Sequence, residues 1–312
     1  MHHDRAAARV ADERTRALDA ATASFAEHRE LLFSVVYNVL GTVTDTEDVL
    51  QDTWLAWAAN GREEVANPRA YLLRIAVNQA LSKLRRERRS REDYVGPWLP
   101  EPLVTGADAA DGTERAEAVS LAMLVVLETL TPLERTVFVL HEAFGYDHPE
   151  IAAILERSPA AVRQLAHRAR EHVQARRPRF QPDPGARRAA TERFLAAAIG
   201  GDLPALLEVL APEVTFWIDT GGKVRAARRV IQGRDKVARL IVAGATNYRP
   251  ADLTIRHADV NGGPAALLFA GDALFAVVAV DLSEEGDRVR GIYTVVNPDK
   301  LRALAAELRE VP

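Results

Sequence analysis

The sequence contains no cysteine and only two methionines among its 312 residues. The lack of cysteine excludes a disulfide framework, a thiolate zinc site and a cysteine nucleophile. Long apolar runs are also lacking, because the most apolar stretch, residues 265–280, is interrupted by Gly271 and Asp272 and is too short to cross a bilayer as a helix. Residues 1–18 lack the continuous apolar core of a signal peptide, so we expect a cytoplasmic protein without a membrane partner.

Apolar residues make up 48% of the chain and charged residues 27%, which excludes a mainly disordered chain and predicts two or three globular domains. The net charge is only −4, but it is distributed in blocks. Residues 69–91 carry eight bases against one acid, and residues 157–188 carry nine against two, a net of +7 each. Residues 96–156 carry eleven acids against two bases, a net of −9. Two basic islands suggest two contacts with one polyanion, although solvated helix faces also produce such runs.

Helical periodicity dominates to about residue 178, and short apolar runs with glycine turns follow from about residue 212. Clusters of proline and glycine interrupt the chain twice. The sequence therefore predicts an all-α block over 1–95, a linker over 96–113, a second all-α block over 114–177, a linker over 178–185 and an α+β block over 186–312. A further hypothesis is that the acidic linker folds over a basic surface through Asp108, Asp111, Glu114 and Glu117.

The first block contains two helices with mixed faces. Residues 45–59 form a predicted helix with an apolar stripe that includes Trp54 and Trp57, while Asp48 and Asp52 belong to an acidic face. These acids either complement the helix dipole or form a docking surface, and the residues alone leave both interpretations open. A second helix begins near residue 69 and has a polar, basic face consisting of Arg74, Asn78, Ser82 and Arg85, with Tyr71 near its start. Such a face could bind phosphates and stack on a base, or it could simply be solvated.

The second block contains three marked helix starts. Thr131-Pro132 and Asp147-His148-Pro149-Glu150 each combine a cap with a proline in the first turn, and Ser158-Pro159 begins the third helix. Only residues 156–158 separate the last two helices, as in a helix-turn-helix, although Glu156 stands where glycine is common. The exposed side of the third helix can enter the major groove, or an unrelated helical bundle could carry an arginine-rich surface; its residues are Arg163, Gln164, His167, Arg168 and Glu171.

These motifs resemble a bacterial sigma factor of the extracytoplasmic-function class. The matching strings are DTEDVLQDTW at 45–54, YLLRIAVN at 71–78, LTPLER at 130–135, EIA at 150–152 and SPAAVR at 158–163. The resemblance implies that the first block is sigma region two, which binds the clamp helices of RNA polymerase and opens the minus-ten element. It implies that the second block is region four, which binds the minus-thirty-five element of promoter DNA and the polymerase flap.

The resemblance also implies roles for individual residues. The residues implied for the minus-ten element and its flanking phosphates are Asn67, Arg69, Tyr71, Arg74, Asn78, Lys83, Arg85 and Arg86. Those implied for the minus-thirty-five element are Arg163, Gln164, His167, Arg168 and Arg170. Those implied for polymerase binding are Asp48, Gln51, Asp52 and Leu55.

Three short segments resemble signatures of the SigJ-like subgroup, which carries a SnoaL-like C-terminal extension. They are Trp98-Leu99-Pro100-Glu101-Pro102, Asp219-Thr220-Gly221-Gly222-Lys223 and Asn297-Pro298-Asp299-Lys300-Leu301, with Thr220 where the subgroup usually has glycine. The resemblance implies that these residues make regulatory contacts, that the extension acts on the sigma regions in cis, and that a separate anti-sigma factor is not required.

Helices over about 186–200, 203–210 and 235–243 and four or five strands, curved and antiparallel, predict a SnoaL-like cone for the third block. Such cones serve as enzymes or as binding modules, so the fold does not decide the function. Asp219 could place a carboxylate in the pocket of the cone, which could also hold a small-molecule ligand, whereas His257, Asp259 and Asp272 suit surface positions equally well. We favour regulatory docking over catalysis and predict no enzyme, cofactor or metal; the alternative is a small-molecule enzyme or sensor that its helices deliver to DNA.

Overall fold

A computed structural model describes residues 2–59, 65–105, 119–175 and 184–310 of the chain. The acidic linker residues Asp108, Asp111, Glu114 and Glu117 lie outside these ranges, as do residues 178–183 of the second predicted linker. The hypothesis that the acidic linker folds over a basic surface therefore stays a prediction.

The chain begins with helices and ends with a sheet that helices flank. The helices are α1 (His2–Leu40), α2 (Val43–Ala59), α3 (Pro68–Glu92), α4 (Leu121–Leu127), α5 (Pro132–Phe138), α6 (His148–Leu155), α7 (Pro159–Gln174), α8 (Pro184–Gly200), α9 (Leu203–Val209), α10 (Arg234–Tyr248) and α11 (Pro298–Glu310), and a π-helical segment, Val139–Ala143, continues α5. The strands are β1 (Leu210–Asp219), β2 (Ile231–Gln232), β3 (Leu253–Val260), β4 (Gly263–Ala270), β5 (Ala273–Leu282) and β6 (Val289–Val295).

Packing groups the described residues into two compact units. The first unit contains α1, α2, α3 as far as Arg86, and residues 132–169. The second contains the end of α3, the linker that follows it, α4 and the chain from residue 170 onwards. The predicted block 114–177 thus differs from the packing, since α4 belongs to the second unit; the division into three domains stays a prediction.

In the first unit, apolar residues at helical spacing are buried, as their pattern predicts. Leu73, Val77, Leu81 and Leu84 of α3 are all at most 5% exposed. The unit also buries one whole cation, Arg135 of α5, whose Nε donates to the carbonyl oxygen of Asn38 at 3.3 Å. That carbonyl lies in the last turn of α1, where the helix dipole favours a positive charge. Arg135 therefore joins α5 to the C-terminal end of α1.

The second unit is built on a six-stranded sheet with the strand order β2-β1-β6-β5-β4-β3. The prediction of an antiparallel sheet is wrong at one position, because β1 and β6 pair in parallel. In this parallel pair Asp219 aligns with Val295, so the C-terminal ends of both strands lie next to each other. The segments that follow β1 and β6 consequently begin side by side.

Both faces of this sheet are covered. One face packs with α8, α9 and α10 around a cluster that includes Phe194, Leu206 and Val237. The other face packs against a second cluster, to which the linker contributes Leu99 and α4 contributes Leu121 and Val125. Burial on both faces explains why residues 265–280 are almost continuously apolar, since they belong to the hairpin of β4 and β5, two interior strands of the sheet.

The predicted helices and strands of the third block occur, but the sheet has six strands where four or five are predicted, because the short strand β2 is also present. Two differences concern the helices. Helix α10 continues to Tyr248, beyond the predicted end at 243, and residues 298–310 form a helix, α11, that the sequence analysis does not predict. α11 places Leu301 and Leu304 in the cluster on the linker side of the sheet. His257 and Asp272 are exposed and Asp259 is partly exposed, consistent with surface positions.

Candidate nucleic-acid interface

The N-terminal turn of α3 carries the first predicted DNA contacts. Asn67 accepts a hydrogen bond from the backbone N–H of Ala70 at 3.0 Å through Oδ1, so its side chain caps α3. Arg69 is exposed on the same turn. Tyr71 is half-buried against Trp57, with 5.8 Å between ring centroids, and the Arg74 guanidinium lies 5.3 Å from the centroid of the Tyr71 ring. The ring is therefore held by packing and keeps one part accessible.

Asn78, in the middle of α3, contacts the helix-turn-helix. Its Nδ2 donates to the carbonyl oxygens of Arg74 at 2.9 Å and of Ile154 in α6 at 3.0 Å. Arg74 also lies near the turn, with 3.9 Å between its Nη1 and Oε1 of Glu156. A cleft of about 610 Å³ adjoins these contacts, and its lining residues are Asp48, Val49, Gln51, Asp52, Arg74, Ile75, Asn78, Gln79, Ser82, Lys83, Arg86 and Glu156. In this arrangement the C-terminal end of α6, just before the turn of the helix-turn-helix, accepts a hydrogen bond from the amide of Asn78.

Lys83 differs from its basic neighbours because acids of α2 hold its ammonium group. Its Nζ lies 2.8 Å from Oδ1 of Asp45 and 2.8 Å from Oδ2 of Asp48. Burial lowers the pKa of Lys83, but the hydrogen bonds and charges of both aspartates outweigh burial and raise the pKa above its ordinary value. Lys83 therefore stays charged and joins α3 to α2. Arg85 and Arg86, by contrast, are exposed.

The acidic face of α2 borders the same cleft, because Asp48, Gln51 and Asp52 are among its lining residues. Gln51, Asp52 and Leu55 are exposed, and Asp48 keeps 61% of its side chain exposed despite its ion pair. Because Asp48 and Leu55 are each three or four residues away from Gln51 and Asp52, the four side chains lie on one side of the helix. Leu55 is 50% exposed and is one of the few large apolar side chains on the surface. The face thus combines carboxylates with an apolar residue.

The helix-turn-helix has the predicted capping. The Asp147 carboxylate accepts from the Glu150 N–H at 2.7 Å, and the Glu150 carboxylate accepts from the Asp147 N–H at 2.8 Å, which completes the capping box. Ser158 accepts from the Ala161 N–H at 3.2 Å at the start of α7. Glu156 ends α6 in the left-handed conformation, with φ of 54° and ψ of 49°, where glycine is usual. The turn therefore has the expected geometry with an unusual residue.

The predicted recognition side of α7 is exposed. Arg163, Gln164 and His167 lie on the surface, whereas Val162, Ala166 and Ala169 are buried. Arg168 is exposed too, but its Nε donates to Oε1 of Glu134 at 3.0 Å. Arg170 is only partly exposed and belongs to the second unit. The exposed polar groups on this side of α7 in the first unit thus centre on Arg163, Gln164 and His167.

The three signature segments meet in the second unit around one buried carboxylate. Asp219, at the end of β1, is 0% exposed. It accepts from the Leu99 N–H at 2.8 Å, from the Tyr94 hydroxyl at 2.5 Å and from the Lys300 ammonium at 2.7 Å. Lys300 also donates to the Leu99 carbonyl oxygen. We name this group, Tyr94, Leu99, Asp219 and Lys300, the linker clasp.

Aromatic rings of the linker surround the cation of the linker clasp. The Lys300 Nζ lies 4.1 Å from the ring centroid of Trp98 and 5.1 Å from that of Tyr94. Burial lowers the pKa of Lys300, and attraction to Asp219 partly offsets this effect. Burial also raises the pKa of Tyr94, together with its hydrogen bond to Asp219, so the phenol stays protonated as a donor. The buried charges are therefore paired and hydrogen-bonded, as burial requires.

Backbone close approach explains the glycines of the middle signature. At Gly221, whose φ is +58°, an added Cβ would lie 2.4 Å from Nδ2 of Asn297. At Gly222, whose φ is +73°, it would lie 3.1 Å from Cβ of Val95. Thr220 has no positive φ and its hydroxyl accepts from the Gly222 N–H at 3.1 Å, so glycine is not required there. Lys223 extends outwards and pairs with Asp299.

The remaining signature residues help to fasten the linker. Asn297 is buried and its Nδ2 donates to the Tyr94 hydroxyl at 2.9 Å, while its Oδ1 accepts from the Asp299 N–H at 3.1 Å. Pro100, Glu101 and Pro102 of the linker are buried. Pro298 is exposed as the first residue of α11, and Leu301 is buried in the cluster beneath it.

Asp219 does not place its carboxylate in a pocket of the C-terminal domain, as the sequence suggests. Side chains alternate along β1, so Val214 and Phe216 face α8–α10 while Trp217 faces the linker side. Asp219 follows Trp217 by two residues and its carboxylate is bound by linker groups rather than exposed in a pocket. The prediction of a pocket carboxylate is wrong, because the linker supplies the partners that a substrate would otherwise provide.

Three contributors to this region are not predicted by the sequence analysis. Tyr94 lies four residues before the first signature. Val104 forms an isolated antiparallel bridge with Val260, flanked by hydrogen bonds of 2.9 Å from Thr105 to Asp259 and of 2.8 Å from Asn261 to Leu103. The apolar side of α4 packs beneath the linker. A buried aspartate needs hydrogen-bond donors, and this requirement could have suggested Tyr94. No local pattern predicts the bridge of Val104 or the packing of α4.

Comparisons with known proteins bear on both units. Residues 25–90 match the family model described as Sigma-70 region 2, and residues 120–173 match Sigma-70, region 4. The chain is 38% identical to the ECF RNA polymerase sigma factor SigJ of Mycobacterium tuberculosis, over 87% of this chain and 90% of SigJ. The chain belongs to the extracytoplasmic-function sigma factors.

Further similarities agree with this assignment. The probable ECF RNA polymerase sigma factor SigI of Mycobacterium tuberculosis is 32% identical to this sigma factor over 93% of its chain and 98% of SigI. The crystal structure of Mycobacterium tuberculosis SigJ superposes with a TM-score of 0.72 at 36% identity, covering 90% of this chain and 98% of SigJ. The match spans the helical regions and the C-terminal sheet domain, which supports the SnoaL-like extension.

As a sigma factor, the protein binds core RNA polymerase and promoter DNA and directs transcription initiation; sigma factors are not themselves enzymes. Helices long and apolar enough to span a membrane do not occur in the ranges of the chain that the structure covers.

Proposed function

We propose that this protein is an alternative sigma factor whose α3 and α7 read the two promoter elements, while its C-terminal domain regulates it in cis by holding the linker between the sigma regions. The observation that carries the regulatory part is the burial of Asp219 among donors from the linker and from α11. Because sigma factors act on bacterial RNA polymerase, the proposed place of action is the cytoplasm.

For the minus-ten element, the proposed base contacts are Tyr71 and Asn78, and the proposed phosphate contacts are Arg74, Arg85 and Arg86. Unstacking a base costs a few kcal/mol, and an aromatic or pocket contact worth about 1–3 kcal/mol can offset that cost. The firm packing of Tyr71 on Trp57 supports this role, because a preorganised ring loses little entropy on stacking. We leave Lys83 out of the phosphate contacts, since Asp45 and Asp48 already neutralise it.

Two further contacts limit when the minus-ten surface can work. The Asn78 amide cannot donate to the Ile154 carbonyl oxygen and bind an unpaired base with the same N–H. The proposed function therefore requires the helix-turn-helix to separate from α3 before Asn78 reads DNA. The exposed Arg74–Glu156 contact at 3.9 Å opposes this separation only weakly.

For the minus-thirty-five element, the proposed groove contacts are Arg163, Gln164 and His167, with Arg168 joining them once it leaves Glu134. Arginine and glutamine can make bidentate hydrogen bonds to purine edges in the major groove. The exposed acidic face of α2, which consists of Asp48, Gln51, Asp52 and Leu55, is the proposed contact with the polymerase clamp. The match of residues 25–90 to Sigma-70 region 2 supports this contact, whereas a single exposed apolar side chain such as Leu55 is normal on a protein surface.

The contacts of the C-terminal domain support the proposal of regulation in cis. It packs Leu99 of the linker together with Leu121 and Val125 of α4, and α4 lies inside the segment that matches region 4. Residues 94–105 are therefore fixed to the sheet domain. While they are bound there, they cannot extend to increase the distance that the chain spans between the two promoter-reading helices. We propose that this hold replaces a separate anti-sigma factor, and that it acts through contacts and not through chemistry or a pocket ligand.

The absence of cysteine from the chain allows a clean test of the regulatory part. Val104 and Val260 face each other as a non-hydrogen-bonded antiparallel pair, which brings Cα atoms to about 4.5 Å and suits a disulfide. The double variant Val104→Cys/Val260→Cys, when oxidised, locks the linker to the sheet domain. Transcription in vitro with core polymerase is then compared between the oxidised and the reduced protein.

We expect the disulfide to change promoter-directed transcription several-fold and reduction to reverse the change. The matched controls are the single variants Val104→Cys and Val260→Cys, treated with the same oxidant and reductant, which should show no difference. Equal transcription by the oxidised and reduced double variant would mean that the linker need not move, and regulation through the linker clasp would be rejected.

A further inference from the structure

A third basic segment lies in the C-terminal domain, outside both promoter-reading helices. Residues 223–239 carry seven bases and only one acid, Asp235, a net charge of +6. The rest of the domain, residues 186–222 and 240–312, carries ten bases against fifteen acids, a net charge of −5. The positive charge of this domain is therefore concentrated in one short stretch between β1 and the first turns of α10.

Four cations of this stretch are exposed and uncommitted. Arg225, Arg228, Arg229 and Lys236 are exposed, and none of them makes a hydrogen bond or an ion pair with another residue that the structure describes. We call these four residues the basic loop surface. Lys223 does not belong to it, because Asp299 already neutralises that cation. The charges of the basic loop surface are thus available to an external partner.

The loop that carries the three arginines of this surface is anchored at both ends. The Gly221 and Gly222 N–H groups donate to side-chain oxygens of Asp219 and Thr220, both at 3.1 Å, at the start of the loop. At its end, β2 pairs with β1 and α10 begins at Arg234. Three arginines are therefore presented from an anchored loop, which lowers the entropic cost of binding an extended partner.

We infer that the basic loop surface is a third contact of this sigma factor with promoter DNA, made to the phosphate backbone. Arginine binds phosphate through a planar fork of donors, and clustered, unpaired arginines on one surface typify contacts with nucleic acid. The inference rests on the DNA binding of the family and not on the linker clasp. Because two other modules of the same chain hold the DNA, even a weak third contact operates at a high effective concentration.

A contact with DNA phosphates predicts a particular salt dependence of the affinity for DNA. Each phosphate that a cation neutralises releases counterions, so log affinity falls with log salt by about 0.9 per contact. Such a contact carries no direct sequence information. The basic loop surface should therefore strengthen binding to any DNA that is long enough to reach it, whatever its sequence. α7, by contrast, should discriminate between sequences.

The test measures holoenzyme, core polymerase with the full chain, binding to a labelled promoter fragment across a salt series. In Arg225→Ala/Arg228→Ala/Arg229→Ala, the slope of log affinity against log salt should fall by about 0.9 for each phosphate that is no longer neutralised, and affinity near physiological salt should fall about tenfold or more. Matched and scrambled promoter sequences should lose affinity by the same factor. The charge-preserving variant Arg225→Lys/Arg228→Lys/Arg229→Lys should keep most of the slope.

The matched control removes three exposed arginines elsewhere in the same domain, in Arg188→Ala/Arg193→Ala/Arg302→Ala, with the same change in net charge. This control should leave the slope unchanged if the contact is local. An unchanged slope in the loop variant overturns the inference. A loss of affinity for core polymerase with unchanged DNA binding also overturns it, because the loop would then bind protein.

Discussion

The helix α7, for which we propose promoter reading, and the linker clasp place their polar groups in opposite environments. Arg163, Gln164 and His167 of α7 are exposed to solvent, whereas Asp219 and Lys300 are buried and bound to each other. Exposed groups can turn to DNA at little cost, since they remain largely hydrated until they bind it. Buried groups cannot leave their partners without a large penalty. The proposed recognition and the proposed restraint therefore use similar residue types in different surroundings.

This contrast separates two kinds of mutational effect. A substitution on α7 should change DNA binding and leave folding unaffected. A substitution in the linker clasp should change stability first, and transcription as a consequence. Any variant that breaks this separation would show that the two surfaces are coupled.

The largest expected effect tests the buried side of the contrast. Asp219→Ala leaves the Lys300 ammonium buried without its counter-ion and removes the acceptor of the Tyr94 hydroxyl and the Leu99 N–H. Breaking a buried ion pair in this way costs about 3–5 kcal/mol, so the free energy of unfolding of the second unit should fall by that amount. Urea denaturation of the full chain measures it.

Two further variants sharpen this prediction. Asp272→Ala removes an exposed carboxylate from the turn between β4 and β5 and should change stability by no more than about 0.5 kcal/mol. Asp219→Ala/Lys300→Met removes both charges and should recover part of the loss, because the unpaired cation is gone. If the double variant is no more stable than Asp219→Ala, the buried ion pair is not the source of the effect.

The next effect tests the exposed side. Arg163→Ala should weaken binding to the minus-thirty-five element by about 1–3 kcal/mol without changing the melting temperature. Holoenzyme affinity for matched and scrambled promoter fragments measures the selectivity. Arg157→Ala, which removes an exposed arginine from the preceding turn, is the control and should show no sequence selectivity. Equal losses on both fragments for Arg163→Ala would remove it from the base-reading set.

The sequence predicts the helical part well because its signals are local. Caps at Asp147 and Ser158 and apolar spacing along α3 are properties of neighbouring residues, and the structure has helices at these positions. The exposure of Arg163 and His167 follows from the same periodicity. The family resemblance supplies roles for these residues that the pattern alone leaves open.

The linker clasp is predictable only in part because its contacts are long-range. The three signatures mark the right segments, but the meeting of Leu99 with Asp219 depends on strand order, and the sequence does not predict the parallel pairing of β1 with β6. Nor does any local signal show that α4 packs with the sheet domain or that Lys83 is neutralised by α2. Contacts between distant segments are set by the topology, which neighbouring residues do not encode.

The smallest expected effect tests whether an exposed residue near the proposed promoter-reading surface can also influence stability. Glu156 holds a left-handed conformation, with φ of 54°, which costs a residue with a side chain about 1 kcal/mol relative to glycine. Glu156→Gly removes this strain, and it also removes the exposed ion pair with Arg74 at 3.9 Å, which is worth little. The greater freedom of glycine in the unfolded chain offsets part of the gain.

We therefore expect Glu156→Gly to stabilise the first unit by up to about 1 kcal/mol, seen as a higher urea midpoint. Glu156→Ala is the matched control, since it removes the carboxylate but keeps Cβ, and it should give no such gain. If both variants are equally stabilised, the carboxylate of Glu156 and not its backbone conformation is the unfavourable feature.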